Sequence, residues 1–300
     1  MNILISGGSG LVGSNLISKL TSKGHTIVNL TTNAKKIGKG SNISNVYWNP
    51  AKGQLDQSCL ENIDAVINLA GFNISNKWSE ANKKEMIDSR VKSTALLVEA
   101  VLKMQNRPKV FISTSASGYY VASPNAMTEE SPAGNDFLSN MSTSWEKETE
   151  PLDNSGIRKV ILRVSVVIDK NEGAVGKMLP FFKLGLGSAI GSGKQMMSWI
   201  HLDDLTNMYI HALESNIKGV FNATADLQCT NQEFSKALAK ALNRPFFLPN
   251  IPRFILQILF GEMSILLFQD RNLSNQKIKT TGFTFKYPSI QSALNSIFQK

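Results

Sequence analysis

Gly7-Gly8-Ser9-Gly10-Leu11-Val12-Gly13 stands between a short apolar run, Asn2–Ser6, and a stretch, Leu11–Ser22, whose Leu11, Leu16, Ile17 and Leu20 recur at helical spacing. A G-x-x-G-x-x-G turn between a strand and a helix has a direct physical reading. Gly7 permits the tight turn, Gly10 lets the backbone approach a pyrophosphate, and Gly13 allows close helix–sheet packing. The helix N-terminus then offers free N–H groups and the positive end of its dipole to the anion. Gly7, Ser9, Gly10, Leu11, Val12 and Gly13 are therefore expected to cradle the phosphates of a dinucleotide.

Outward from this turn, strands and helices alternate. Gly24 stops the first helix and His25–Leu30 reads as the next strand. Further strands are expected at 65–69, 110–113 and 159–163, with a long helical stretch over 78–104. This alternation predicts an α/β fold: a Rossmann-type, doubly wound parallel sheet with its ligand at the carboxyl ends of the strands. From about Ser165 the rhythm changes. Six glycines between Gly173 and Gly193 suggest long loops over a site, and the Pro-punctuated stretch 248–252 looks like a boundary. The expected division is a cofactor-binding domain over 1–245 and a smaller C-terminal helical segment over 246–300, part of a substrate-side cap.

The end of the second strand, Leu30-Thr31-Thr32-Asn33, carries no acid to accept the ribose 2′-hydroxyl of NAD. Thr31 and Thr32 can donate to a 2′-phosphate and Lys35 or Lys36 can neutralise it, so NADP is the expected cofactor.

Composition narrows the remaining classes. Hydrophobic residues make up 42% of 300, ample for a packed core, which excludes disorder, collagen and coiled coil. Two cysteines, Cys59 and Cys229, cannot make a disulfide framework, and with three histidines scattered no metal-ligand cluster is expected. The opening MNILISGG has no basic n-region, so a signal peptide is not expected and a cytoplasmic setting fits. The net charge of +9 is spread over short basic groups without aromatic interleaving, which argues against a nucleic-acid partner. The apolar stretch Phe254–Phe268 is interrupted by Gln257, Gly261 and Glu262 and falls short of the ~20 residues of a membrane span. Its apolar face is expected to pack on the second half of the chain or on another subunit, as in a homodimer, and not on lipid.

Asn68-Leu69-Ala70-Gly71 after one strand and Ser113-Thr114-Ser115-Ala116-Ser117 after the next, together with the glycine turn, resemble an extended short-chain dehydrogenase/reductase. Leu162-Arg163, Trp199 through Asp204 and Phe221-Asn222-Ala223 look like landmarks of its sugar-nucleotide epimerase branch. Three longer runs, 78–90, 178–187 and 191–193, resemble an atypical epimerase-like family with its own C-terminal domain of unknown function. The resemblance covers essentially the whole chain. It implies that Leu69, Ala70 and Gly71 line the adenine-ribose side of NADP, with Glu85 and Arg90 near the cofactor and a small-molecule substrate such as a sugar nucleotide.

In one respect the chain departs from the wider superfamily, which moves its proton with a Tyr-x-x-x-Lys dyad on one helix face. None of the five tyrosines has a lysine four residues on: Tyr47, Tyr119, Tyr120, Tyr209 and Tyr287 are followed by Ala51, Ser123, Pro124, Leu213 and Gln291. Ser115 matches the substrate-orienting serine, and Tyr119 and Tyr120 follow closely enough to present a phenol to the same cleft. Ser115 and Tyr119 are thus the candidate catalytic residues, with Ser142 lining the cofactor in the segment that replaces the dyad. Two functions are compatible with these residues: an NADP-dependent, epimerase-like oxidoreductase with a rearranged proton donor, and a non-catalytic NADP(H)-binding or redox-sensing module.

Overall fold

The computed structural model describes residues 1–170 and 172–299. Asn2–Ser6 forms β1, Leu11–Ser22 forms α1, and Thr26–Thr31 (β2) pairs in parallel with β1. Ile43–Asn49 (β3) extends the sheet beyond β2, again in parallel. Ala65–Asn68 (β4) flanks β1 on its other side, and after α2 (Glu80–Leu102) the chain returns as Val110–Ala116 (β5), parallel to β4. The chain continues through α3 (Phe137–Lys147) to β6 (Arg158–Val164), then α4 (Gly173–Lys183), α5 (Leu202–Glu214) and β7 (Gly219–Ala223). The sheet order is β7-β6-β5-β4-β1-β2-β3, so the winding reverses beside β1 and opens the crevice in which such sheets bind their ligands. The expected doubly wound α/β architecture is the observed one. β3 and β7 are sheet strands that sequence reading did not anticipate; in β3, of ISNVYWN only Trp48 is buried, so the run lacks the apolar signature of a central strand.

The chain divides into two compact units: Met1–Tyr119, Phe137–Arg163 and Thr206–Phe221 in the first, and Tyr120–Asp136, Val164–Leu205 and the chain from Asn222 onward in the second. In the first, Leu4 of β1, Val66 of β4 and Phe111 of β5 share a core with Leu97 and Val101 of α2. The second is built on α4, α6 (Asn231–Ala241), α7 (Arg253–Phe260) and α8 (Ile290–Phe298), with Phe182, Trp199, Phe234, Leu238 and Leu294 in its core. Short strands at Ser123–Met127 and Arg271–Leu273 pair in parallel within it.

Two expectations need correcting here. Residues 173–193 are not one long loop, because Gly173–Lys183 is helical: Val175, Leu179 and Phe182 recur at helical spacing and are buried, and this apolar face outweighs the glycine count. Glycine freedom matters afterwards, where Gly185, Gly191 and Gly193 all take positive φ. The second correction concerns one of the two alternatives for α7: it buries Leu256 and leaves Phe254, Ile255, Ile258 and Leu259 exposed, so the second half of the chain does not cover this face. Among the described residues no helix is long and apolar enough to cross a membrane.

The tightest approach of backbone to a glycine is at Gly13, where a β-carbon would stand 2.4 Å from the Gly7 carbonyl oxygen and 2.6 Å from the Gly8 Cα. Both neighbours are backbone and cannot swing aside. Gly13→Ala is expected to destabilise the protein by about 2–3 kcal/mol, seen as a melting point lowered by several degrees. Gly38→Ala, where a β-carbon meets open space, should change stability by less than about 0.5 kcal/mol. Equal melting shifts in the two variants would show that the turn is not close-packed.

Candidate functional site

Three strand ends of the first unit, with the end of β2 beside the first of them, build the candidate site. At the first, after β1, Gly7 has φ +74°, and a β-carbon on it would lie 2.6 Å from the Leu69 carbonyl group. Gly10 is different. A β-carbon there would meet only the Gly7 oxygen, at an ordinary 3.4 Å, so the fold itself does not require glycine at this exposed position. Gly10 is also the N-cap of α1, with no side-chain cap and no acid in the first turn, whereas α2 and α6 are capped by Ser79 and Thr230. An uncapped helix start behind a glycine that leaves space suits a bound phosphate. Ser9 is exposed beside it, and Leu11 and Val12 are half-buried. At the end of β2, Thr31 is buried and its hydroxyl accepts the Asn33 N–H. Thr32, Lys35 and Lys36 are exposed, the lysines on a 3-10 turn that Asn33 caps.

The second strand end is held by Asn68, fully buried at the close of β4. Its Oδ1 accepts from the Ser6 hydroxyl at 2.6 Å, and its Nδ2 donates to Thr94 Oγ1 at 2.7 Å. Thr94 Oγ1 also accepts from the Trp145 indole, so one polar chain ties β1, β4, α2 and α3 together. Leu69 and Ala70 follow half-buried, and Gly71 is exposed. Ser89 and Arg90 clamp the next residue at both of its backbone groups: Ser89 Oγ accepts the Phe72 N–H at 2.9 Å, and Arg90 Nη1 donates to the Phe72 carbonyl at 3.0 Å. The Arg90 guanidinium lies over the Trp145 ring and 3.0 Å from where a β-carbon at Gly71 would stand, which explains that glycine. Burial pushes Arg90 down to about 10, still charged at neutral pH, and its Nε has no partner. Arg90 does not engage Glu85, which is exposed on α2. The clamp role of Ser89 and Arg90 was not readable from residue types alone.

At the third strand end, β5, the Ser115 hydroxyl donates to Glu146 Oε1 at 2.6 Å. Arg163 grips the same carboxylate bidentately, Nε to Oε1 at 2.8 Å and Nη2 to Oε2 at 2.9 Å. The guanidinium also stacks on the Tyr119 ring, 3.4 Å from its centroid. The structure therefore brings Ser115 and Tyr119 to one cluster, through two residues, Glu146 and Arg163, that the reading of the sequence had not assigned to the site. The arrangement reflects burial. Arg163 is only 4% exposed, and an ion pair out of water requires good geometry and saturated hydrogen bonds. Ser142 is fully buried on α3, its hydroxyl turned back to the Leu138 carbonyl. Tyr120 corrects an expectation: it is fully buried, donating to Asn222 Oδ1 at 2.6 Å, and presents no phenol to a cleft.

Elsewhere in the second unit, buried Asp204 accepts the backbone N–H groups of Lys286 and Tyr287, and His201 Nδ1 accepts the Asp203 N–H while its ring packs on Tyr287. These contacts fix loops. A cleft of about 930 Å³ opens on the outer part of the sheet, lined by Val28, Lys39, Tyr47, Asp56 and Cys59 among others. It includes none of the glycine turn, and burial pushes the Cys59 thiol up to about 11, which keeps it protonated at neutral pH. The strand-end geometry, rather than this groove, marks the site.

A parallel sheet that reverses beside β1, with a glycine turn and an uncapped helix at the reversal, defines a Rossmann-type dinucleotide-binding protein. The chain belongs to the NAD dependent epimerase/dehydratase family, which matches residues 3–223; residues 251–297 match a domain of unknown function, DUF1731. It is 38% identical to human epimerase family protein SDR39U1 over 99% of both chains. It is 35% identical to epimerase family protein YfhF of Bacillus subtilis, over 99% of this chain and 98% of the relative. The crystal structure of human SDR39U1 with NADPH superposes with a TM-score of 0.89 at 34% identity, covering all of both chains. UDP-glucuronic acid 4-epimerase from Bacillus cereus, in complex with UDP-glucuronic acid and NAD, shares the fold at a TM-score of 0.79 and 19% identity, over 99% of this chain and 98% of that one.

Removing one partner of the Glu146–Arg163 pair leaves a charge buried alone. Arg163→Ala should therefore cost about 3–5 kcal/mol in chemical denaturation, and the double variant Glu146→Leu, Arg163→Leu should cost less than that single change. Strictly additive losses would show that the two side chains are not coupled.

Proposed function

We propose that the chain binds NADP(H) with its pyrophosphate at the Gly7–Gly13 turn and uses it as an epimerase-like oxidoreductase on a small molecule of the sugar-nucleotide class. The observation that carries the cofactor assignment is Gly10, a glycine the fold leaves room to replace, at the uncapped start of α1. NADPH in the human relative and the lysines at 35 and 36 support NADP over NAD. In this reading Ser9, Leu11 and Val12 supply hydroxyl and backbone groups around the phosphates. Thr31, Thr32 and Lys35 receive the 2′-phosphate, Leu69, Ala70 and Gly71 flank the adenosine, and Glu85, Arg90 and Ser142 complete the surroundings.

When bound, the nicotinamide supplies or accepts the hydride. The chain must supply the proton. With no Tyr-x-x-x-Lys pair in the sequence, Tyr119 is the hydroxyl we assign to moving it, because it is half-buried and Ser115 is 1% exposed. The Ser115 proton is committed to Glu146, so Ser115 faces any ligand as an acceptor and acts here as a positioning residue. Arg163, neutralised by Glu146, holds the Tyr119 ring in place. The same buried serine favours a second reading, a non-catalytic NADP(H)-binding module, because the superfamily's substrate-orienting hydroxyl is here turned to a carboxylate.

Calorimetric titration should give NADPH an affinity at least ~10-fold above that for NADH. Lys35→Glu with Lys36→Glu should erase the difference by weakening NADPH alone. Gly10→Val should abolish binding of both cofactors while the melting point stays within a few degrees of the parent. Undiminished affinity in folded Gly10→Val protein would remove the turn from the phosphate site.

On any substrate the parent protein turns over, Tyr119→Phe should slow the chemical step by ~10²-fold or more, with cofactor affinity changed less than about twofold. Full activity in this variant would exclude Tyr119. Tight NADPH binding without turnover across sugar nucleotides and simple carbonyl compounds would establish the second reading.

A further inference from the structure

The apolar face of α7 lacks an occupant within the described chain, and its surroundings indicate which occupant fits. Ile258 is 79% exposed, Leu259 67% and Phe254 61%, while Leu256 on the other side anchors the helix. The chain leading into α7 runs beside the segment that follows α4: Ser188 Oγ donates to the Pro249 carbonyl, Ile190 bridges to Ile251, and Pro245 lies against Gly185. That seam carries further exposed apolar side chains, Phe247 at 74%, Leu184 at 74% and Phe181 at 61%. At ~200 Å² for a fully exposed residue of this size, these six leave about 800 Å² of apolar surface in water. A soluble monomer's largest apolar patch is usually ~300–600 Å². Roughly 800 Å² per partner is what a standard stable protein–protein interface buries.

We propose that this face is a homodimer interface, on which a second copy of the chain seats its own α7. The charge pattern separates this occupant from lipid. A helix that lies on an anionic membrane carries many Lys and Arg on its polar face. α7 has Arg253 alone, with its guanidinium over the Phe268 ring, and Gln257 as its one other polar residue. With one charge on α7 and Lys183 and Arg244 at the seam, the face falls short of the basic stripe that holds a helix on anionic lipid, and few like charges come together when two copies meet about a two-fold axis. The net charge of +9 includes Arg253 and, at the edge of the seam, the exposed Lys183 and Arg244, so association should strengthen with salt as the repulsion between copies is screened.

Sedimentation velocity of the full chain across a concentration series at low and moderate salt tests this, with the Phe254→Asp, Ile258→Asp double variant beside it. Both positions are exposed, so the variant should keep the parent's circular dichroism spectrum and NADPH affinity. The expected result is a parent dimer, tighter at the higher salt, and a variant whose dissociation constant is raised ~100-fold or more. A parent that stays monomeric throughout overturns the proposal, as does a variant that dimerises like the parent. A monomeric parent that floats with phosphatidylserine vesicles would overturn it in favour of a lipid partner.

Discussion

A gap too small for a side chain organises the carboxyl edge of the sheet. The turn after β1 rests its Gly7 against the carbonyl of Leu69, and α1 rests Gly13 on the same turn, so β1, α1 and the end of β4 meet backbone to backbone. Backbone contacts of this kind have no rotamers to relax, which makes the position of the α1 N-terminus a property of the fold and not of any side chain. Asn68 then locks the arrangement from beneath. It bonds Ser6 on β1 and Thr94 on α2 in a setting without solvent, where an unmet hydrogen bond would cost several times what a met one contributes. Gly10 can remain vacant of side chain because everything around it is already fixed.

The same logic extends to the clamp on Phe72 and to the Ser115–Glu146–Arg163 cluster. In both, a charged or polar side chain is directed at protein groups and leaves a neighbouring backbone or ring rigid. Ser89 and Arg90 pin the residue after Gly71, and Arg163 pins Tyr119. A guanidinium suits both places because it is planar, can stack and bond at once, and tolerates burial better than an ammonium.

The parts of this architecture that depend on backbone sterics were legible in the residues. Gly7, Gly10 and Gly13 at their spacing located the first strand, the turn and the first helix with correct ends, and the runs at 65–69 and 110–113 located two more strands, observed at Ala65–Asn68 and Val110–Ala116. The parts that depend on long-range partners were not. Glu146 and Arg163 are 17 residues apart and look like ordinary surface charges until β6 and α3 bring them together. Tyr119 and Tyr120 are adjacent and identical in type, yet the first lies under Arg163 and the second is bonded to Asn222, 102 residues away. β3 was missed because its burial comes from neighbours and not from its own composition, and α4 because glycine count is a weaker signal than the spacing of Val175, Leu179 and Phe182.

The burial of α3's inner face also bears on how reversible this site is. Leu138 and Ser142 stand four apart on that face, the spacing a Tyr–Lys pair needs, and both are buried. Leu138→Tyr with Ser142→Lys would not recreate such a pair. The new ammonium would enter a space that holds only a hydroxyl turned back on its own helix, within four residues of an Arg163-bound carboxylate. Four residues before Glu146 on the same helix, that ammonium would be drawn to the carboxylate Arg163 now grips, and so would unsettle the contacts that hold Ser115 and Tyr119. The buried pair thus limits what this face of α3 can become: a cation introduced there competes with Arg163 for a single carboxylate.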